Sequence, residues 1–197
     1  PKNMNDSLLK GEIKKYEVVL EGQMVTASDV EVIFSPNIQT CIALILYDNS
    51  QKKACVMHIH NNVEKNIEIA LNKGLKSMTK DPQVYLIGGS EIKCIPEVAM
   101  IDDAIKLVLE RKGLKVTKQY KLNNNCCSVA NPYIELKTGR VQPELNNLCC
   151  SAIFSSVQKR IMTNASGFAH IVLEERLSSN IYQQRSGTVS ILGQITP

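Results

Sequence analysis

The chain has 197 residues, 44% hydrophobic and 21% charged, with a formal net charge of +4, the ordinary make-up of one soluble globular domain over residues 1–197. The charge is too small, the Lys and Arg residues too scattered and the aromatic side chains, at 5%, too few to argue for a nucleic-acid partner. The apolar runs are strand-sized, so no membrane span is expected, and Pro1-Lys2-Asn3-Met4-Asn5-Asp6 lacks the apolar core of a signal peptide, which points to a cytoplasmic protein.

Residues 1–15 read as polar and loosely ordered. Residues 16–20 and 30–34 are strand candidates, punctuated by Gly22. Ser35-Pro36-Asn37 is a turn, because proline cannot donate to a ladder. The stretch that follows organises the rest. Residues 41–47 and 54–59 are apolar runs around the turn-forming cluster Asp48-Asn49-Ser50-Gln51, which reads as a hairpin. Cys41 opens its first strand and His58 closes its second. The partner of Cys41 depends on the loop. A two-residue loop at Asn49-Ser50, the working register, sets Cys41 directly opposite His58; a four-residue loop pairs it with His60; a three-residue loop puts both histidines on the other face. Any even loop keeps Cys41 and His58 on one face and turns Cys55 away from it.

Asn61-Asn62 offers an N-cap to a helix whose apolar stripe is Val63, Ile67, Ala70, Leu71, Leu75 and Met78. Gly74 weakens that helix by about 1 kcal/mol relative to Ala, and Asp81-Pro82 stops it. Residues 83–87 form a short buried strand that Gly88-Gly89 ends. Pro96 opens a second helix, with Val98, Ile101, Ile105, Val108 and Leu109 on its apolar face and Gly113 as its stop. Residues 114–120, 126–129, 133–136 and Val141 read as strands, the last two joined by Thr138-Gly139. Residues 148–154, 168–173 and 188–192 read as three more. The order predicts an α+β fold: mostly antiparallel, sandwich-like sheets with two main helices covering one side.

Cysteine beside histidine is a nucleophile with its base. The imidazole takes the thiol proton and lowers the thiol pKa below its free value of about 8.5, and the thiolate attacks an acyl carbon. A third polar group orients the ring, and Ser35 and Thr40 are the nearby candidates. Gly88-Gly89 lets backbone approach a reacting carbonyl, as an oxyanion contributor would. Each residue has a plainer reading. Cysteine is among the residues most often buried, so Cys41 also fits as core filling. His58 and His60, two apart on one strand face, also fit as a metal pair, but no carboxylate or further cysteine clusters with them. His170 reads as a core histidine. The seven cysteines, Cys41, Cys55, Cys94, Cys126, Cys127, Cys149 and Cys150, contain no C-x-x-C, so no zinc site is expected and reduced thiols are. The vicinal pairs Cys126-Cys127 and Cys149-Cys150 remain open. Neither a metal nor an organic cofactor is called for.

The stretch Thr40-Cys41-Ile42-Ala43-Leu44-Ile45-Leu46-Tyr47-Asp48, followed by Val56-Met57-His58, resembles the core of the chemotaxis-receptor glutamine deamidases, the CheD family. The family's histidine lies 17 positions after its cysteine, and a hydroxyl residue lies six before it; His58 and Ser35 stand at those positions. Gly88-Gly89 matches the family's strand-ending pair, and residues 103–116 and 136–141 match the helix, strand and late hairpin that follow. The protein N-terminal asparagine amidohydrolases share the cysteine–histidine spacing, and Tyr85-Leu86-Ile87-Gly88-Gly89 is at least as close to their version. The likeness covers a core of about residues 30–142. Where the deamidases carry glycines just before the cysteine, this chain has Pro36-Asn37-Ile38-Gln39, and residues 143–197 match neither family.

The resemblance implies a Cys41–His58–Ser35 triad, with Thr40, Gly88 and Gly89 at the oxyanion or substrate side. It implies a protein deamidase acting on Gln or Asn side chains of a protein substrate. An N-terminal asparagine amidohydrolase and a non-catalytic protein-binding module on the same fold are the alternatives.

Overall fold

The computed structural model describes Ser7 and residues 12–79, 81–90, 96–122, 128–147, 183–186 and 189–191. At its centre β4, Ile42–Asp48, is buried along its whole length, and β5, Lys53–Ile59, is buried in all but its first residue. Strands with no polar face must be covered on both sides, and three layers result. On one side α1, Glu64–Leu75, and α2, Pro96–Arg111, bring Ile67, Leu71, Ile105 and Val108 onto Ile42, Leu44, Leu46, Met57 and Ile59. On the other side Ile33 and Ile134 of a smaller sheet meet Ala43, Ile45, Tyr47, Ala54 and Val56. The expected sandwich with two helices on one side is thus present.

The remaining strands are β1 Tyr16–Val18, β2 Gln23–Ala27, β3 Val32–Phe34, β6 Gln83–Ser90, β7 Lys118–Leu122, β8 Ser128–Ala130, β9 Tyr133–Glu135, β10 Val141–Gln142, β11 Leu145–Asn147, β12 Gln183–Ser186 and β13 Val189–Ile191. The large sheet runs β13-β12-β2-β5-β4-β6-β7, the small one β1-β3-β9-β10, and β8 pairs with β11. The sheets are mixed rather than mostly antiparallel: β1–β3, β2–β12 and β6–β7 are parallel pairs. The last pair arises because α2 carries the chain back over the sheet between β6 and β7, a crossover that returns it in the same direction. Among the described residues no helix is long and apolar enough to cross a membrane.

Several boundaries differ from expectation. β2 was not predicted, because Gln-Met-Val-Thr-Ala does not alternate. Its polar residues are buried all the same: the Gln23 side-chain oxygen accepts from Leu20 N–H at 3.0 Å, and Thr26 lies across from Cys55 in the ladder. The first helix begins later than Asn61-Asn62 would set it; Val63 is the N-cap, and Asn61, two residues before it, accepts from Val63 N–H at 3.1 Å. Gly88-Gly89 does not end β6 but lies within it, at a register shift between Ile87 and Ser90. Gly113, at φ 69°, stops α2 as expected. Leu114 N–H then reaches back to Leu109 O at 2.9 Å and its side chain packs on the helical core, so the next strand starts only at Lys118. The strand expectations for 148–154 and 168–173, with Cys94, Cys126, Cys127, Cys149, Cys150 and His170, lie outside the described residues.

Candidate active site

The hairpin loop fixes the register. Asp48 Oδ1 accepts from Ser50 N–H at 3.0 Å, Ser50 Oγ–H at 2.6 Å and Gln51 N–H at 3.3 Å, and Lys52 takes φ 50° to close the turn. Asp48 Oδ2 accepts from Thr79 N–H and Oγ–H at 2.7 and 2.6 Å. Burial alone would raise this carboxyl, but the donors from Ser50, Thr79 and Gln51 outweigh it and hold it well below its ordinary value. Four residues, 49–52, form the loop, and Asp48 pairs with Lys53. The two-residue register is therefore replaced by the four-residue one. His58 lies opposite Ala43, and Cys41, one step before β4, is its diagonal rather than its direct neighbour. Diagonal neighbours on one face are ~7–8 Å apart at Cα, within reach of long side chains.

The face itself is as expected. Cys41 packs with Ala43, Ile45 and Tyr47 between the two sheets, on the side to which residues 54, 56 and 58 point. Cys55 packs with the helices instead.

Ser35 follows β3 and is pinned by its own N–H to Pro132 O at 2.9 Å. Its Oγ lies 3.1 Å from His58 Nδ1 and donates to Val19 O at 3.1 Å. His58 Nδ1 also lies 3.4 Å from Val19 O. A carbonyl oxygen can only accept, and the Ser35 proton is committed to it. The proton of the Ser35–His58 contact must then come from the ring, so neutral His58 carries it on Nδ1 and keeps Nε2 as its basic nitrogen. Ser35 and His58 are 1% and 2% exposed, so this arrangement is sheltered from water.

The approach to Cys41 is shaped by Asn37, at φ 66°. Asparagine enters the left-handed region more readily than other side-chain-bearing residues, which lets the segment turn without the glycines of the deamidases. Asn37 N–H bonds Asn131 Oδ1 at 3.0 Å, and Ile38 exchanges two backbone bonds of 2.8 Å with Ala130. On the far side of Cys41 a Cβ at Gly88 would stand 2.7 Å from the Cys41 carbonyl oxygen, so this glycine is what lets β6 lie against Cys41. A Cβ on Gly89 would instead approach Gln119 and Asp102, at 3.5 and 3.8 Å.

Cys41 is 7% exposed. Its thiol is pushed up to about 12, first by burial and then by the Glu21 carboxylate, against a lowering hydrogen bond from Thr40. The expected depression of the thiol pKa is thus absent, and the sulfur keeps its proton at neutral pH. Thr40 contacts the thiol, while Ser35 takes the orienting position at His58. No motif in the sequence pointed to Glu21 or to the Val19 carbonyl; both reach the site from the segment between β1 and β2, which the chain order alone does not place there.

No family model and no curated protein matches the chain. The site rests on its geometry.

Two further features bear on it. Among the described residues no three His, Cys, Asp or Glu side chains gather as metal ligands. A cleft of about 530 Å³ opens between the hairpin loop and the small sheet, lined among others by Asp29, Glu31, Lys52, Glu135 and Lys137. It lies at the loop end of β4 and β5, whereas Cys41 stands at the other end of β4, so this cleft does not serve the cysteine.

Proposed function

We propose that the chain is a cysteine-dependent amidohydrolase that deamidates a Gln or Asn side chain of a protein substrate, as its likeness to the CheD deamidases implies. The observation that carries this reading is the Ser35–His58 hydrogen bond of 3.1 Å on the sheet face that Cys41 shares. The protein acts in the cytoplasm and needs neither metal nor organic cofactor.

Because the thiol rests protonated, attack and proton transfer go together. The Cys41 sulfur bonds to the carboxamide carbon while His58 Nε2 takes the thiol proton, and Ser35 and the Val19 carbonyl steady the imidazolium through Nδ1–H. Backbone about Cys41 and Gly88 faces the oxyanion. The tetrahedral adduct collapses as His58 returns the proton to nitrogen, the C–N bond breaks and ammonia leaves a thioester. Water then adds with His58 as base, the C–S bond breaks, and the products are a carboxylic acid and the regenerated thiol. The balance is amide plus water to acid plus ammonia.

The test is ammonia release, with the matching mass change, from casein and from Gln- and Asn-containing synthetic peptides. Cys41→Ala is expected to abolish release while its circular dichroism stays that of the wild type; a variant that still releases ammonia overturns the assignment. Parallel peptides with free and acetylated N-termini separate side-chain deamidation from N-terminal asparagine hydrolysis, which requires the free amine.

The burial of Cys41 and the raised thiol favour a second reading, a non-catalytic protein-binding module on this fold. On that reading wild type and Cys41→Ala release equally little ammonia, and iodoacetamide labels Cys41 no faster than the fully buried Cys55.

A further inference from the structure

At the same end of the large sheet as Cys41, residues 20–23 make a tight turn. Gln23 N–H bonds Leu20 O at 2.9 Å, Leu20 N–H bonds the Gln23 side-chain oxygen at 3.0 Å, and Gly22 supplies the positive φ of 76°. Gly22 N–H then donates to the His58 carbonyl oxygen at 2.9 Å, which ties the turn to the backbone of the base. The register carries the alignment further. Met24 faces Met57 and Ile59 faces Ile42, so the turn stands level with His60 and Cys41. Glu21 is exposed, in contrast to the buried residues 22–27. Among the described residues no Lys or Arg forms an ion pair with it.

We propose that Glu21 is a specificity residue of this site, and that its carboxylate holds a cationic group of the substrate, an ammonium or guanidinium, beside the carboxamide that Cys41 attacks. The substrate half of this inference rests on the amidohydrolase reading. A bare carboxylate opposes loss of the thiol proton, acting across β5, the one strand that stands between β2 and β4. A bound cation cancels that opposition. A substrate carrying the cation therefore eases the chemistry at the moment it binds, and a neutral or acidic one does not. The cation has two possible sources, the α-ammonium of a chain terminus and a Lys or Arg side chain next to the target residue.

The test separates the field of Glu21 from the reaction. Full-length wild type and Glu21→Gln are treated with a cationic methanethiosulfonate, the trimethylammonioethyl reagent, and with the anionic sulfonatoethyl reagent. Each forms a disulfide with the Cys41 sulfur and expels methanesulfinate, and the rates are read at the Cys41 peptide by mass spectrometry. The cationic-to-anionic rate ratio is expected to fall by about threefold in Glu21→Gln, the scale of a partly exposed ion pair, and further in Glu21→Lys. An unchanged ratio, or a Cys41 that neither reagent reaches, overturns the proposal. A second arm compares ammonia release from Gln and Asn peptides with a free N-terminus, with an acetylated N-terminus and a preceding Lys, and with an acetylated neutral sequence. The preferred cationic peptide names the source, and the preference should disappear in Glu21→Gln. A preference that survives the substitution counts against Glu21. If no peptide is turned over while the labelling ratio shifts, the amidohydrolase reading fails and Glu21 stands as a cation-selecting residue.

Discussion

The proton inventory around His58 decides what the site can do. Its ring has a hydroxyl at 3.1 Å and a carbonyl at 3.4 Å on one nitrogen, and that pair dictates the tautomer more firmly than a hydroxyl alone, since a hydroxyl can turn either way. On the amidohydrolase reading proposed above, Ser35 is thus a positioning residue. Ser35→Ala removes one acceptor but leaves the Val19 carbonyl, so the ring loses orientation without losing its Nδ1 proton. The expected result is a fall in kcat of about tenfold or more with KM little changed, together with a loss of about 1–2 kcal/mol in urea unfolding for the missing buried hydrogen bond. Ser35→Thr, which restores a hydroxyl, should recover part of the rate. A KM effect with kcat intact would mean that Ser35 shapes the substrate surface and does not orient the base.

Two glycines show how elements constrain the site. Gly74 lies in the last turn of α1, where Ala would improve helix propensity by at most about 1 kcal/mol. Its Cβ would sit 2.8 Å from Cys55 Sγ and 3.3 Å from both Leu46 Cδ1 and Met57 Cε. Those atoms belong to fully buried side chains and have little room to yield, so crowding outweighs propensity and Gly74→Ala should lose about 1–2 kcal/mol in urea unfolding. Gly88 differs in kind. A Cβ there meets the Cys41 carbonyl oxygen at 2.7 Å and Ile42 Cα at 3.2 Å, and the residue stands at φ 122°. Backbone cannot step aside as a side chain can, so Gly88→Ala should destabilise more than Gly74→Ala and also depress activity by shifting Cys41. If Gly88→Ala matches wild type in both, β6 does not abut Cys41 closely. The same residues mark what the chain order reveals. Cys41 and His58 were legible because the faces of a hairpin depend only on whether its loop is odd or even, and Asp48-Asn49-Ser50-Gln51 announces the hairpin; Ser35 was legible only as a nearby hydroxyl, six positions before the cysteine as the family resemblance implies. The loop length itself was hidden, for it depends on Asp48 reaching Thr79, a partner 31 residues away. β2 was hidden because Gln23 and Thr26 break the apolar pattern, and Gln23 finds its partner, Leu20 N–H, only in the folded chain. The role of Gly74 was hidden too, since helix propensity ignores the layer beneath.

At the scale of the molecule the large sheet carries one described free thiol in each of its two interfaces, Cys41 against the small sheet and Cys55 against the helices. Burial is the first cause of both being pushed up to about 12, while the same groups in an unfolded chain titrate near 9.0. The sign follows from linkage. Between about pH 9 and pH 12 the unfolded chain gives up thiol protons that the folded chain retains, so the unfolded state binds fewer protons and stability falls as pH rises. Below about pH 9 both states hold the protons, and this contribution is fully present. Tyr133, also pushed up to about 12 chiefly by burial, adds to the slope from near pH 10. The urea midpoint should therefore not respond to the thiols between pH 7 and 8 and should decline above about pH 9. Replacing Cys41 and Cys55 with alanine opens small cavities and lowers the whole curve. The informative quantity is its slope, which should flatten between about pH 9 and 10 and keep only the tyrosine part above. If wild type and the double variant decline in parallel, the thiols ionise without unfolding, and solvent reaches both faces of the sheet. In that case Cys41 is open enough to be charged in place, and the attack would start from a thiolate and not from the protonated sulfur that its burial implies.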